Sequence, residues 1–295
     1  MTTRHLLLRD VRGLLFSSLF ALARVATAQD KPIILVSIPP QAWLVRELAG
    51  DRVDVHCLLP VGANPHTFEP DVRQLRALSR AQLALPIGMP FDRIFLQKAK
   101  QLNPRLISLP ADANITKMAE GEAHHHHHEH GEACSDDGND PHIWLSPRCF
   151  AEVATNTARA LATLPLLPSD ELSNRLARVS QTIQAVDQQA RKKLAPLAGK
   201  LWVVYHPSWS YFAADYNLHL LTVEQDGKSP SSRHIITILK QARAAQVKTV
   251  FTEPQSDKRY AHAVADPLNA RVEILDPLQE DWPLLMQILL EKLTQ

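Results

Sequence analysis

Short apolar runs alternate with apolar residues at helical spacing along most of the chain. Ile33–Val36 is such a run, Trp43, Leu44, Val45 and Leu48 follow on one helical face, and 53–59 is a second apolar-rich run. Strand, helix, strand in that order predicts a parallel α/β unit. The same reading predicts a helix over 71–79, a strand over 83–87, a helix over 91–102 and a strand over 106–109. Pro86 has no N–H to give to a ladder, which pushes the third strand toward an edge or an irregular end. Ser146-Pro147 offers a helix cap and a good first residue, so a helix runs from there to about residue 164.

Beyond Pro168, Leu172, Leu176, Val179, Ile183, Val186, Ala190 and Leu194 recur every three or four positions with mostly polar residues between them. This is one amphipathic helix of roughly 25 residues, close to ~40 Å long at ~1.5 Å per residue. It reads as a strut between two halves, although a long helix packed on one domain has the same pattern. The alternation then restarts, with strands over 201–205, 219–223, 249–252 and 272–275 and helices near 210–216, 233–244, 258–265 and 282–293. The expected fold is therefore α/β, two lobes with mainly parallel sheets joined by a long backbone helix. Its divisions are a first lobe over 29–168, the linking helix over 169–196 and a second lobe over 197–295. Loops at the strand ends would line a cleft between the lobes.

The first 28 residues stand apart. Arg4, Arg9 and Arg12 precede a mostly apolar stretch over 13–23, and Ala26-Thr27-Ala28 supplies small residues for cleavage, the pattern of a secretory signal peptide. The stretch is shorter than the ~20 residues needed to cross a bilayer. Cleavage after Ala28 leaves 28 bases against 30 acids, a balance that gives no electrostatic case for nucleic acid. No Cys lies at the cleavage site to carry a lipid, so a freely soluble protein outside the cytoplasm is expected. With 45% hydrophobic and 21% charged residues, the chain can bury a sizeable core and is too apolar for disorder. Cys57, Cys134 and Cys149 are an odd set. An oxidising compartment permits a bridge between Cys134 and Cys149, but nothing in the spacing requires one, and free thiols are the simpler reading.

The candidate chemistry is histidine chemistry. Within 120–140, His124, His125, His126, His127, His128 and His130 sit among Glu122, Glu129, Glu132, Asp136 and Asp137. Such a segment has little apolar surface to bury and is expected to be a loop. Its imidazoles and carboxylates suit zinc-like ions in many interchangeable sets, so it would bind weakly and with little selectivity; a solubilising loop or an inserted tag are the plainer alternatives. Three further histidines and one acid fall where elements begin or end: His66 after the second strand, His142 before the helix at 146, and His206 and Asp276, each directly after a strand and before a proline. Two from each half would close a four-coordinate N3O site across the cleft. Taken singly, a boundary histidine is more often an ordinary hydrogen-bonded residue, and Asp276 could merely open a turn. The separations match no short zinc motif.

Several segments extend this reading. Gly62-Ala63-Asn64-Pro65-His66-Thr67-Phe68-Glu69-Pro70, the His-rich acidic loop, Asp140-Pro141-His142-Ile143-Trp144-Leu145-Ser146-Pro147, Tyr205-His206-Pro207-Ser208-Trp209, Thr252-Glu253-Pro254-Gln255 and Leu275-Asp276-Pro277-Leu278 together cover nearly the whole mature chain. Their order resembles the periplasmic zinc-binding proteins of ABC uptake transporters, within a wider family of zinc and manganese solute-binding proteins. The resemblance implies two α/β lobes joined by a long helix, His66, His142 and His206 as metal ligands, and Asp276 as the counterpart of a carboxylate ligand in manganese-type relatives. In zinc-type relatives, water or another carboxylate takes the fourth place. Glu253 would lie near the site, where it could orient a ligand histidine. Manganese-type relatives carry Glu at the position of His206, and a third imidazole moves preference from an oxygen-loving ion toward zinc.

The resulting expectation is a periplasmic monomer that captures Zn2+ and delivers it to an inner-membrane ABC transporter permease. Manganese or iron delivery is the same class with different cargo, and metal buffering is an alternative. A secreted zinc hydrolase is the rival from another class, but the chain lacks His-Glu-x-x-His, Gly-x-Ser-x-Gly and a Walker-type Gly-Lys-Ser/Thr motif.

Overall fold

Two four-stranded parallel sheets carry the architecture. The structure, a computed structural model, describes residues 31–119, 138–224 and 228–295. The signal-peptide segment, His124 to His128, His130 and Cys134 lie outside the described residues. In the first sheet the order is β2-β1-β3-β4, with β1 (Ile33–Val36), β2 (Asp54–Cys57), β3 (Leu83–Leu85) and β4 (Ile107–Ser108). Helices α1 (Pro39–Ala49), α2 (Val72–Arg80) and α3 (Pro90–Leu102) make the crossovers. Every residue of β1 is buried, as a central parallel strand covered on both faces requires.

Pro86 does not mark an edge. β3 lies between β1 and β4, its last paired residue is Leu85, and the proline falls where the ladder stops. The irregular end is what the missing N–H produced. Just beyond, Gly88 takes φ +90, and the buried Asp92 accepts the N–H groups of Ile87, Gly88 and Met89 and the Ser37 hydroxyl. One carboxylate thus holds the strand end and ties it to the end of β1.

The second sheet repeats the plan in the order β6-β5-β7-β8, with β5 (Leu201–Val204), β6 (His219–Thr222), β7 (Thr249–Thr252) and β8 (Arg271–Ile274). Between the sheets run α4 (Pro147–Leu161), capped by Ser146 Oγ on the Cys149 N–H, and α5 (Ser169–Leu194). At 26 residues α5 is ~39 Å long. Leu172, Val179, Ile183, Ala190 and Leu194 form its buried stripe, packed on α1, α4 and α9 (Trp282–Leu293). The remaining helices are α6 (Ser210–Asp215), α7 (Ser232–Ala244) and α8 (Lys258–Ala265).

Alternation along β5 divides the core. Trp202 and Val204 face a large apolar body continuous with the first sheet, whereas Val203 and Tyr205 join Ile238, Ala242, Val250 and Val264 on the opposite face. The last helix of the chain returns to the first lobe, where Trp282 stacks on Phe150 at 4.6 Å and lies 6.4 Å from Trp43. Residues 31–295 therefore form one compact unit. Among the described residues no helix is long and apolar enough to cross a membrane. Cys149 is a buried free thiol, and burial pushes the Cys57 thiol up to about 12, so neither is poised for thiolate chemistry.

Candidate metal centre

His66, His142 and His206 come together. Each offers one ring nitrogen, and these atoms all lie within 4.8 Å of one another. The ring centroids are 5.4 Å apart for His66 and His142, 4.7 Å for His66 and His206, and 5.2 Å for His142 and His206. Three bonds of ~2.0 Å to a tetrahedral ion would set the nitrogens about 3.3 Å apart, so closing around zinc takes side-chain rotation rather than refolding.

Each histidine is delivered differently. His66 sits on the loop after β2, where Gly62 at φ +80 turns the chain and Asn64 Oδ1 accepts the His66 N–H at 2.9 Å. His142 precedes a 3-10 turn over Ile143–Leu145 that leads into α4. His206 lies two residues beyond β5 in extended backbone, as the following Pro207 demands, and that proline opens the 3-10 turn before α6.

Two of the rings are oriented by carboxylates. Asp140 Oδ1 bonds His142 Nδ1 at 2.7 Å and also accepts the His142 backbone N–H at 2.9 Å. Glu224 Oε2 bonds His206 Nδ1 at 2.8 Å. This carboxylate–imidazole pairing fixes a ligand ring and leaves Nε2 for the ion. Among the described residues, His206 Nε2 and His66 Nε2 are both buried without a hydrogen-bond partner. A buried orphan nitrogen is costly, and two of them facing a third imidazole fit an ion that accepts their lone pairs.

The electrostatics agree with metal binding. Burial, followed by the charges of His206 and His142, lowers the His66 imidazole to about 2, so it stays neutral with its lone pair available. Burial alone would lower His206 too. The hydrogen bond to Glu224 and the charges of Glu253, Glu224 and Asp140 outweigh it and push the ring up to about 9. The carboxylates around His206 therefore favour positive charge on that side of the site.

Asp276 lies outside the three-imidazole group. Its Oδ1 accepts from Leu278 N at 3.0 Å and Gln255 Nε2 at 3.3 Å, so it closes its own turn. In the second sheet β8, which leads into Asp276, is two strands from β5, which leads into His206. Glu253 is half-buried near His206, and its carboxyl, raised by desolvation, accepts the Ser208 hydroxyl. The orienting carboxylates are instead Asp140 and Glu224. Glu224 carried a signal in the sequence that only the register makes readable: Val204 pairs with Thr222, so residues two beyond each, His206 and Glu224, are neighbours.

The sequence matches, over residues 34–295, the family described as "ZnuA: Zinc-uptake complex component A periplasmic". A solved structure of ZnuA is 33% identical and superposes with a TM-score of 0.81, covering 90% of this chain and 98% of that one. A zinc-bound ZnuA deletion mutant, also 33% identical, gives 0.80 over 90% and 97%. The zinc-binding protein AdcA of Streptococcus pyogenes is 21% identical over 291 residues, 95% of this chain but 56% of AdcA, so the chain spans little more than half the length of that relative. With a match that runs through both sheets and all three histidines, the chain belongs to the family of periplasmic ZnuA zinc-uptake components.

Proposed function

We infer that this protein captures Zn2+ in the periplasm and hands it to an ABC transporter, with His66, His142 and His206 as ligands and the ion as cargo. The observation that carries this reading is the convergence of three imidazoles from distant segments, two with buried Nε2 atoms that have no partner among the described residues. Three nitrogens with no carboxylate among the grouped atoms favour zinc over manganese, which prefers oxygen. The fourth position falls to solvent or to Asp276, whose Oδ1 accepts the Leu278 N–H. The protein is a carrier rather than a catalyst: it must bind tightly, release to a permease of the inner membrane and return. It acts as a monomer after removal of residues 1–28, and the histidines of 124–128 and 130 add weak auxiliary sites.

Calorimetric zinc titration tests this with the mature protein, a variant lacking residues 121–138 and His206→Ala. The deletion should remove weak sites and keep one strong site, and His206→Ala should weaken that strong site at least a hundredfold. Undiminished strong binding in His206→Ala would overturn the ligand assignment.

A further inference from the structure

Helix α6 follows His206 by a few residues, yet it grips the segment that carries His142. At its first turn the Tyr211 hydroxyl accepts the Met118 N–H at 2.9 Å and donates to the Asp140 carbonyl at 2.8 Å. At its last turn Asp215 accepts from Ser146 Oγ and Arg148 Nε. Tyr211 is 1% exposed, and among the described residues the Met118 N–H and the Asp140 carbonyl are the hydrogen-bond partners of its hydroxyl.

What Tyr211 holds matters. Met118 and Asp140 are themselves paired, Asp140 N–H to Met118 O at 2.9 Å, and the backbone bridge between Ala119 and Asn139 lies one residue further out. The tyrosine hydroxyl therefore pins both sides of this small ladder to the second lobe. Asp140 is also the residue whose carboxylate fixes the His142 ring. From the second lobe, the path runs through one hydroxyl, one backbone unit and one carboxylate to a ligand nitrogen.

We propose that Tyr211 is a positioning residue for metal capture: its hydroxyl sets Asp140, and through it His142, at the correct separation from His206. The proposal rests on His142 being a ligand. Without the hydroxyl, the Asp140 carbonyl and Met118 N–H lose a buried partner, the carboxylate gains freedom, and the His142 Nε2 must be organised by the ion itself. Orienting partners of ligand imidazoles are typically worth about tenfold to a hundredfold in metal affinity.

The test compares zinc affinities, by chelator competition, of Tyr211→Phe, Tyr216→Phe, His142→Ala, Asp140→Ala and the Tyr211→Phe/Asp140→Ala double variant. Tyr216 is the control: its hydroxyl sits at the end of the same helix and bonds Asp187 Oδ1 at 2.8 Å on α5, off any path to a ligand. Tyr211→Phe should weaken zinc about tenfold to a hundredfold, and Tyr216→Phe should change it less than about twofold at a similar loss of thermal stability. The double variant should bind no worse than Asp140→Ala, because both residues act through one ring. Cobalt substituted for zinc should show an altered visible spectrum in Tyr211→Phe and not in Tyr216→Phe. Unchanged affinity in Tyr211→Phe, equal weakening in the two tyrosine variants, or additive effects with Asp140→Ala would each overturn the proposal. If His142→Ala binds as tightly as the parent, the ligand assignment itself fails; if only Tyr211→Phe is silent, the site stands and the positioning role falls.

Discussion

The three histidines are not equivalent. His66 is neutral by burial, whereas His206, pushed up to about 9 by Glu224 and the neighbouring carboxylates, holds a proton at neutral pH when no ion is bound. Zinc must expel that proton. Affinity should therefore rise about tenfold per pH unit up to about 9 and level off above, with about one proton released per ion at pH 7.5. The sign reverses for the metal-free fold: a raised folded value stabilises fully below the ordinary 6.5, and that contribution is lost as pH rises through about 9. Titration calorimetry in buffers of different ionisation enthalpy measures the proton count. Zero protons released at pH 7.5 would show that the Glu224 pairing does not act as described.

At the scale of elements, most strands and helices were legible, because short apolar runs and helical spacings rarely conflict in this chain. The long helix was expected at 169–196 and spans Ser169–Leu194, and its seven-residue stripe faces the core as its spacing required. The role of β3 was not legible. Pro86 signals a break in the ladder, but sequence cannot tell a strand that stops from a strand at an edge. The candidate histidines were readable as boundary residues, yet their convergence depends on which strands adjoin. Sheet order likewise puts Glu224 beside His206. Asp92 shows the same limit, since its four donors come from two separate strand ends. Burial pushes its carboxyl up to about 6 even with those donors. Asp92→Ala would strand all four, and should cost about 3 kcal/mol in urea unfolding of the metal-free protein. A loss under about 0.5 kcal/mol would mean that water replaces the carboxylate.

Across the whole molecule, the sheets are joined by more than α5. Trp144 Nε1 donates to the Pro277 carbonyl, Trp282 Nε1 donates to the Trp144 carbonyl, and α9 lies against the first lobe although it ends the second half of the chain. The segment that bears His142 is thus held from both sides. Trp282 is fully buried, and Trp282→Ala should destabilise the metal-free protein by about 4 kcal/mol through lost packing. Denaturant unfolding checks this, and metal-free protein is needed because bound zinc would itself add stability by mass action. A change below about 1 kcal/mol would show that the terminal helix is peripheral to the fold.

The most direct test of the central claim is zinc K-edge X-ray absorption on the protein lacking residues 121–138, loaded with one equivalent of zinc. Three imidazole nitrogens at ~2.0 Å and one oxygen should surround the ion. A spectrum fitted by fewer than three imidazoles would contradict a site built from His66, His142 and His206.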